Sequence, residues 1–110
     1  MVARSRFSRR ARADLLSIAA YTLQTWGPAQ ANDYIEQMEG CCRLLARNPL
    51  LGRCRDDVRV GLRRMEKGKH VIFYRQVPGG IRVVRILHQR MRPARHALDE
   101  PDDQPRPDRE

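Results

Sequence analysis

Residues 70 to 90, His-Val-Ile-Phe-Tyr-Arg-Gln-Val-Pro-Gly-Gly-Ile-Arg-Val-Val-Arg-Ile-Leu-His-Gln-Arg, constrain the fold more than any other stretch. Val71, Ile72, Phe73, Tyr74 and Val77, then Ile81, Val83, Val84 and Ile86, are β-branched or aromatic, side chains that fit a pleated sheet. Pro78-Gly79-Gly80 between them supplies a reversal, since proline presets φ and glycine reaches positive φ. A three-residue loop would pair Val77 with Ile81 and set Arg85 opposite Phe73, whereas a two-residue Gly-Gly loop would set Arg85 opposite Tyr74. The three-residue loop is expected, because it keeps Pro78 out of the ladder. Apolar residues fall on both faces of each strand, so helices are expected on one face and something else, a partner being one candidate, over part of the other.

Upstream, Val2 to Phe7 alternates weakly as a short first strand, and Ser8 is placed to cap a helix. Leu15, Ile18, Ala19, Thr22 and Trp26 recur at helical spacing, Gly27 ends the helix and Pro28 opens a second. That second helix, to about Arg47, carries Ala31, Tyr34, Ile35, Met38, Cys42 and Leu45 on one face, and Asn48-Pro49 stops it. Pro49 to Asp57 reads as loop, and Val58 to Glu66 as a strand that turns through Lys67-Gly68-Lys69 into the one at His70. Trp26 is expected in the core at the corner of the helical hairpin, with Tyr21, Tyr34 and Tyr74 as packing residues carrying one polar end. The predicted fold class is α+β: a small antiparallel β-sheet packed on an N-terminal two-helix hairpin, in the order β-α-α-β-β-β.

Residues 1–98 are expected to form one domain, and 99–110 a proline-rich acidic tail without fixed structure. The chain carries a net charge of +9, but the tail holds six acidic and two basic residues, so the domain is more basic than the total. Such a surface favours nucleic acid, a nucleoprotein machine or an acidic protein. Cys41, Cys42 and Cys54 are odd in number, and neighbouring helical side chains diverge by about 100°, so buried reduced thiols in a cytoplasmic protein are expected. No metal or other cofactor is expected, since His70, His88 and His96 are scattered and no second Cys/His pair lies at ligand spacing. The first sixteen residues are broken by five arginines, which leaves no apolar segment for a signal or a membrane span.

Several ordered segments then carry a resemblance. They are Ala-Asp-Leu-Leu-Ser-Ile-Ala-Ala-Tyr-Thr at 13–22, Trp-Gly-Pro-Ala-Gln-Ala at 26–31, Asn-Pro-Leu-Leu-Gly-Arg at 48–53, Gly-Leu-Arg-Arg at 61–64, His-Val-Ile-Phe-Tyr-Arg at 70–75 and Val-Val-Arg-Ile-Leu-His-Gln-Arg-Met at 83–91. In that order and spacing the chain resembles the ParE branch of the ParE/RelE superfamily of bacterial toxins, over nearly everything from Arg4 to Leu98. The resemblance implies a toxin held inactive by a ParD-like antitoxin and directed at DNA gyrase, whose cleaved-DNA complex it stabilises, with no small-molecule substrate. An acidic amphipathic antitoxin segment is expected over the helical hairpin and the sheet.

The RelE branch cleaves messenger RNA on the ribosome, so fold alone does not separate the two activities. A nuclease here would draw on Arg63, Arg85 and His88, but no tyrosine follows Tyr74 and the only lysines are Lys67 and Lys69. The expectation is therefore a non-enzymatic toxin, with a ribosome-dependent endoribonuclease or a plain nucleic-acid-binding module as alternatives. Arg63, Arg64, Arg75, Arg82, Arg90, Arg92 and Arg95 are the expected partner-binding residues, the last three as the foremost basic patch. Arg85 has an equally weighted structural role, an ion pair to Asp14 or Glu39. His88 is expected to be an ordinary hydrogen-bonded histidine.

Overall fold

The computed structural model describes residues 3–91. Arg92, Arg95, His96 and the tail at 99–110 lie outside the described residues. The elements run β1 (Arg4–Phe7), α1 (Arg9–Trp26), α2 (Pro28–Arg47), β2 (Arg53–Cys54), β3 (Leu62–Lys67), β4 (His70–Val77) and β5 (Gly80–His88). Together the strands form one five-stranded sheet in the order β1-β5-β4-β3-β2.

The helices begin and end where local chemistry requires. Ser8 Oγ accepts the Ala11 amide at 2.9 Å, which satisfies one of the free donors of the first turn. Gly27, at φ 94°, is both the end of α1 and the start of α2, with Pro28 pre-set as the first residue of the new helix. α1 buries Ala11, Ile18 and Thr22, and α2 buries Ala31, Met38, Cys42, Leu45 and Ala46. Against them the sheet sets Ile72, Tyr74, Ile81, Val83 and Ile86, the larger of two cores. Each such aliphatic side chain contributes roughly 1.5–3 kcal/mol when fully buried. The second core, Leu62, Val71, Phe73, Val84 and Leu87 with Val58 against it, occupies the far face of the sheet and is buried within the chain itself. Apolar residues on both faces of β4 and β5 thus have an intramolecular cause.

Several expectations are corrected. The sheet is mixed, because β1 runs parallel to β5, with Arg4 beside Gly80 and Phe7 beside Val83. A crossover through two helices lets the first and last strands lie side by side in parallel, whereas β2 to β5 follow as antiparallel neighbours. The loop at 49–57 contains β2, which pairs with β3 through Arg53 and Cys54. Val58 to Gly61 is turn rather than strand, and Val60 is 87% exposed. Trp26 is also no core residue: it is 60% exposed, since the single-glycine joint turns α2 back before a side chain at the last position of α1 can reach inside. Tyr21 likewise faces solvent, while Tyr74 is fully buried. Cys42 is buried and its thiol is pushed up to about 12 by burial, but Cys54 is exposed on the edge strand β2.

The β4–β5 turn is shorter than expected, yet Arg85 falls where the longer one would put it. Val77 pairs with Gly80 across Pro78-Gly79, and the register then shifts, since Tyr74 faces Val83 while Phe73 faces Arg85. Val84 is the extra residue of a β-bulge, which moves Arg85 back opposite Phe73.

Candidate functional site

β1 covers β5 only as far as Val83, which leaves the rest of the β5 edge to be completed by α1. The Ser8 amide donates to Val83 O, Ser8 Oγ donates to Val84 O at 2.7 Å, and the Ile86 amide donates to Asp14 Oδ2 at 2.9 Å. Arg85, re-aimed by the bulge, forks onto the same carboxylate, with Nε–Oδ2 2.7 Å and Nη2–Oδ1 3.0 Å. This bond raises the guanidinium's affinity for its proton. Of the two carboxylates anticipated for Arg85, Asp14 is the partner, and the residue anchors α1 to the sheet.

His88, at the end of β5, faces His70 of β4, with ring centroids 5.3 Å apart in an edge-on arrangement. The Arg90 amide donates to His88 Nδ1 at 3.1 Å, so the proton of the neutral ring sits on Nε2. On the other side the Tyr34 hydroxyl lies 2.7 Å from His70 Nδ1 and accepts the Lys69 amide at 3.1 Å. Burial, and then the neighbouring His88, push the His70 pKa below 6.5, while burial raises that of Tyr34. Tyr34 also packs closely on Gly68 at φ 60°, where a Cβ would meet its ring and hydroxyl, so it clamps the β3–β4 turn onto α2. No signal at residue 34 beyond its helical face pointed to this link.

The expected partner-binding arginines separate into distinct environments. Arg63 Nη1 donates to Gly52 O at 2.6 Å and Leu50 O at 3.3 Å, and so braces the loop before β2. Arg64, its neighbour on the opposite side of the strand, pairs with Glu66 at 2.9 Å. Arg75 and Arg82 are direct partners across β4 and β5, and Arg82 is in turn the partner of Arg6 in β1. Three arginines thus stand in one row over three adjacent strands. Arg90 is exposed in the turn after β5. Of the nuclease candidates, Arg85 and His88 lie near one end of β5, and Arg63 is two strands away. Sequence reasoning passed over Arg4, Arg6, Arg12 and Arg43, which line a cleft at the β1 edge together with Arg82. The arginine-rich start of the chain was the available signal. Among the described residues no helix is long and apolar enough to cross a membrane, and no group of three or more His, Cys, Asp or Glu could hold a metal.

The chain thus presents a helical hairpin on one face of a mixed five-stranded sheet, with arginines along the far face and edge. The fold matches a solved structure titled "Chromosomal ParDE TA system from P. aeruginosa", at a TM-score of 0.66 and 22% identity, over 79% of this chain and 96% of that one. The family model described as "ParE toxin of type II toxin-antitoxin system, parDE" matches residues 6–93. Toxin ParE1 of Caulobacter vibrioides is 41% identical over 91 residues, covering 83% of this chain and 94% of that protein. Toxin ParE1 of Mycobacterium tuberculosis is 40% identical over 92 residues, with the same coverage. The chain belongs to the ParE toxin family of type II toxin–antitoxin systems.

Proposed function

We propose that this ParE-family toxin acts by binding rather than by cutting RNA, that it stabilises the cleaved-DNA complex of DNA gyrase, and that a ParD-like antitoxin holds it inactive. One observation carries the binding reading: the three side chains expected to serve a nuclease, Arg63, Arg85 and His88, are each engaged in contacts within the fold. Arg85 is forked onto Asp14, Arg63 is bonded to two loop carbonyls, and His88 accepts the Arg90 amide. Gyrase as the target rests on kinship with the ParE branch. Purified chain incubated with gyrase and supercoiled plasmid is expected to raise the yield of protein-linked breaks, and unchanged cleavage and supercoiling would overturn the gyrase reading.

For the antitoxin, α1 offers the docking surface. Leu16 and Leu23 are exposed on the side of α1 opposite Ile18 and Thr22, with Ala20 between them and Trp26 beyond. An apolar stripe of this kind marks a site for a partner helix, and the net charge of +9 attracts an acidic one. Arg63, also expected at the antitoxin interface, has Nη1 bonded to the Gly52 and Leu50 carbonyls, so its charge reversal is expected to disturb the loop before β2 as well as antitoxin affinity.

A ribosome-dependent endoribonuclease keeps one observation in its favour. Tyr34 brings a hydroxyl from α2 to His70 and His88, where the strand itself has no tyrosine. Site-specific cuts in ribosome-bound message that vanish on His70→Ala would establish that reading.

A further inference from the structure

The β1 edge gathers positive charge from four elements. Arg4 and Arg6 project from β1, Arg12 from α1, Arg43 from α2 and Arg82 from β5, and the five line one cleft. Arg4, Arg6, Arg12 and Arg43 are exposed, and none of these four enters an ion pair among the described residues.

Two features concentrate positive charge at this edge. Arg6 and Arg82 are direct Cα partners across the parallel pair, and Arg82 and Arg75 across the antiparallel one, so like charges repeat at the interstrand spacing of about 4.8 Å. The first turn of α1 holds no acidic residue and instead carries Arg9, Arg10 and Arg12, at the end of the helix where the dipole is already positive. Planar guanidinium forks suit phosphate oxygens, which they bind bidentately.

The surroundings decide between the anions. An acidic peptide needs apolar anchors for its affinity, whereas a phosphodiester backbone is held by charge alone. The large exposed apolar residues, Leu16, Tyr21, Leu23, Trp26, Leu44, Leu50, Leu51, Val60 and Met91, contribute nothing to the cleft lining. Its single aromatic, Phe7, is half-buried against the helix-side core, and one partly covered ring is a poor platform for successive bases, which disfavours single strands.

We propose that the cleft lined by Arg4, Arg6, Arg12, Arg43 and Arg82 is a phosphodiester site that grips the backbone of duplex DNA. It deepens the gyrase reading by assigning the cleft to the DNA of that complex, and the choice of DNA over RNA duplex rests on that reading.

The test is fluorescence anisotropy of the full chain with labelled 20-base-pair DNA and RNA duplexes over a range of salt. Affinity for DNA is expected to fall steeply with salt. Arg4→Glu/Arg6→Glu is expected to weaken it at least about 10-fold and to flatten the salt dependence by about one unit of slope for each phosphate that is no longer neutralised. Arg53→Glu/Lys69→Glu changes the net charge equally, with Arg53 on the opposite sheet edge, and is expected to keep most of the affinity. Equal losses in the two double variants would overturn the site, as would displacement of DNA by polyglutamate at matched charge, which would assign the cleft to an acidic peptide. Tighter binding to duplex RNA would overturn the DNA assignment. Arg6→Lys, which keeps the charge, is expected to retain binding, and circular dichroism of each variant separates a weakened site from an unfolded chain. Gyrase cleavage is measured separately: DNA binding through the cleft without added gyrase cleavage would overturn the gyrase reading and leave the site standing.

Discussion

Asp14 and Arg85, 71 residues apart in sequence, are joined by two hydrogen bonds of 2.7 and 3.0 Å, and the same carboxylate holds the Ile86 amide. Their side chains are only 16% and 18% exposed, so water does little to replace either partner. Asp14→Ala strands a guanidinium and a backbone donor together, and is expected to cost about 3–5 kcal/mol. Asp14→Asn keeps an oxygen for Ile86 and should cost less. Urea unfolding of both variants and of Arg85→Ala checks the order, and equal effects for Asp14→Ala and Arg85→Ala would show that the Ile86 bond contributes nothing.

Tyr74 ties the sheet to the loop before β2. Its buried hydroxyl accepts the Gly52 amide at 2.8 Å and donates to Pro49 O at 2.8 Å. Tyr74→Phe removes one atom and leaves both groups without it, at an expected cost of about 1–3 kcal/mol. Gly52→Ala is expected to be worse, because a Cβ there would run into that hydroxyl. Thermal melts of the two variants give the comparison directly.

The His70 pKa lies below its ordinary 6.5, so below that pH the unfolded chain takes up a proton that the folded chain resists. Stability is therefore expected to rise with pH through the interval from the depressed folded value up to about 6.5, and to fall on acidification through it. On protonation His70 Nδ1 would donate to Tyr34, whose own proton must then turn to Lys67 O at 3.4 Å. His70→Gln should flatten melting temperature against pH below about 6.5. An unchanged slope in that variant would remove His70 as its source.

Trp26 is solvent-exposed, and its replacement tests the α1 surface without touching the core. Trp26→Ala and Leu23→Ala are expected to change stability by less than about 0.5 kcal/mol. Each is expected to cost more than about 1 kcal/mol of affinity for the antitoxin, read by calorimetry on the purified pair. Full affinity in both variants would move the antitoxin off this helix.

The sequence by itself determined the two helices and the long β4–β5 strands, and their causes are local. Ser8 caps α1, Gly27-Pro28 joins the helices without a loop, Asn48 ends α2, and β-branched runs extend on either side of Pro78-Gly79. Their order, spelled in segments from residue 13 to residue 91, also carried the family. What depended on placement across the chain was decided only by the tertiary structure. The parallel pairing of β1 with β5 required the two ends to meet, and with it came the row of Arg6, Arg82 and Arg75. Arg85 stands opposite Phe73 through a bulge at Val84, because a two-residue turn and a one-residue shift together reproduce the register of a longer loop. Trp26 points outward although its type and spacing favour the core, since burial depends on where the joint at Gly27 sends the next helix. Whether an arginine braces a loop, as Arg63 does, or lines a cleft, as Arg6 does, follows from which carbonyls and cations the fold places beside it. Local propensity shapes each element, whereas charge and burial act through neighbours that only the assembled sheet supplies.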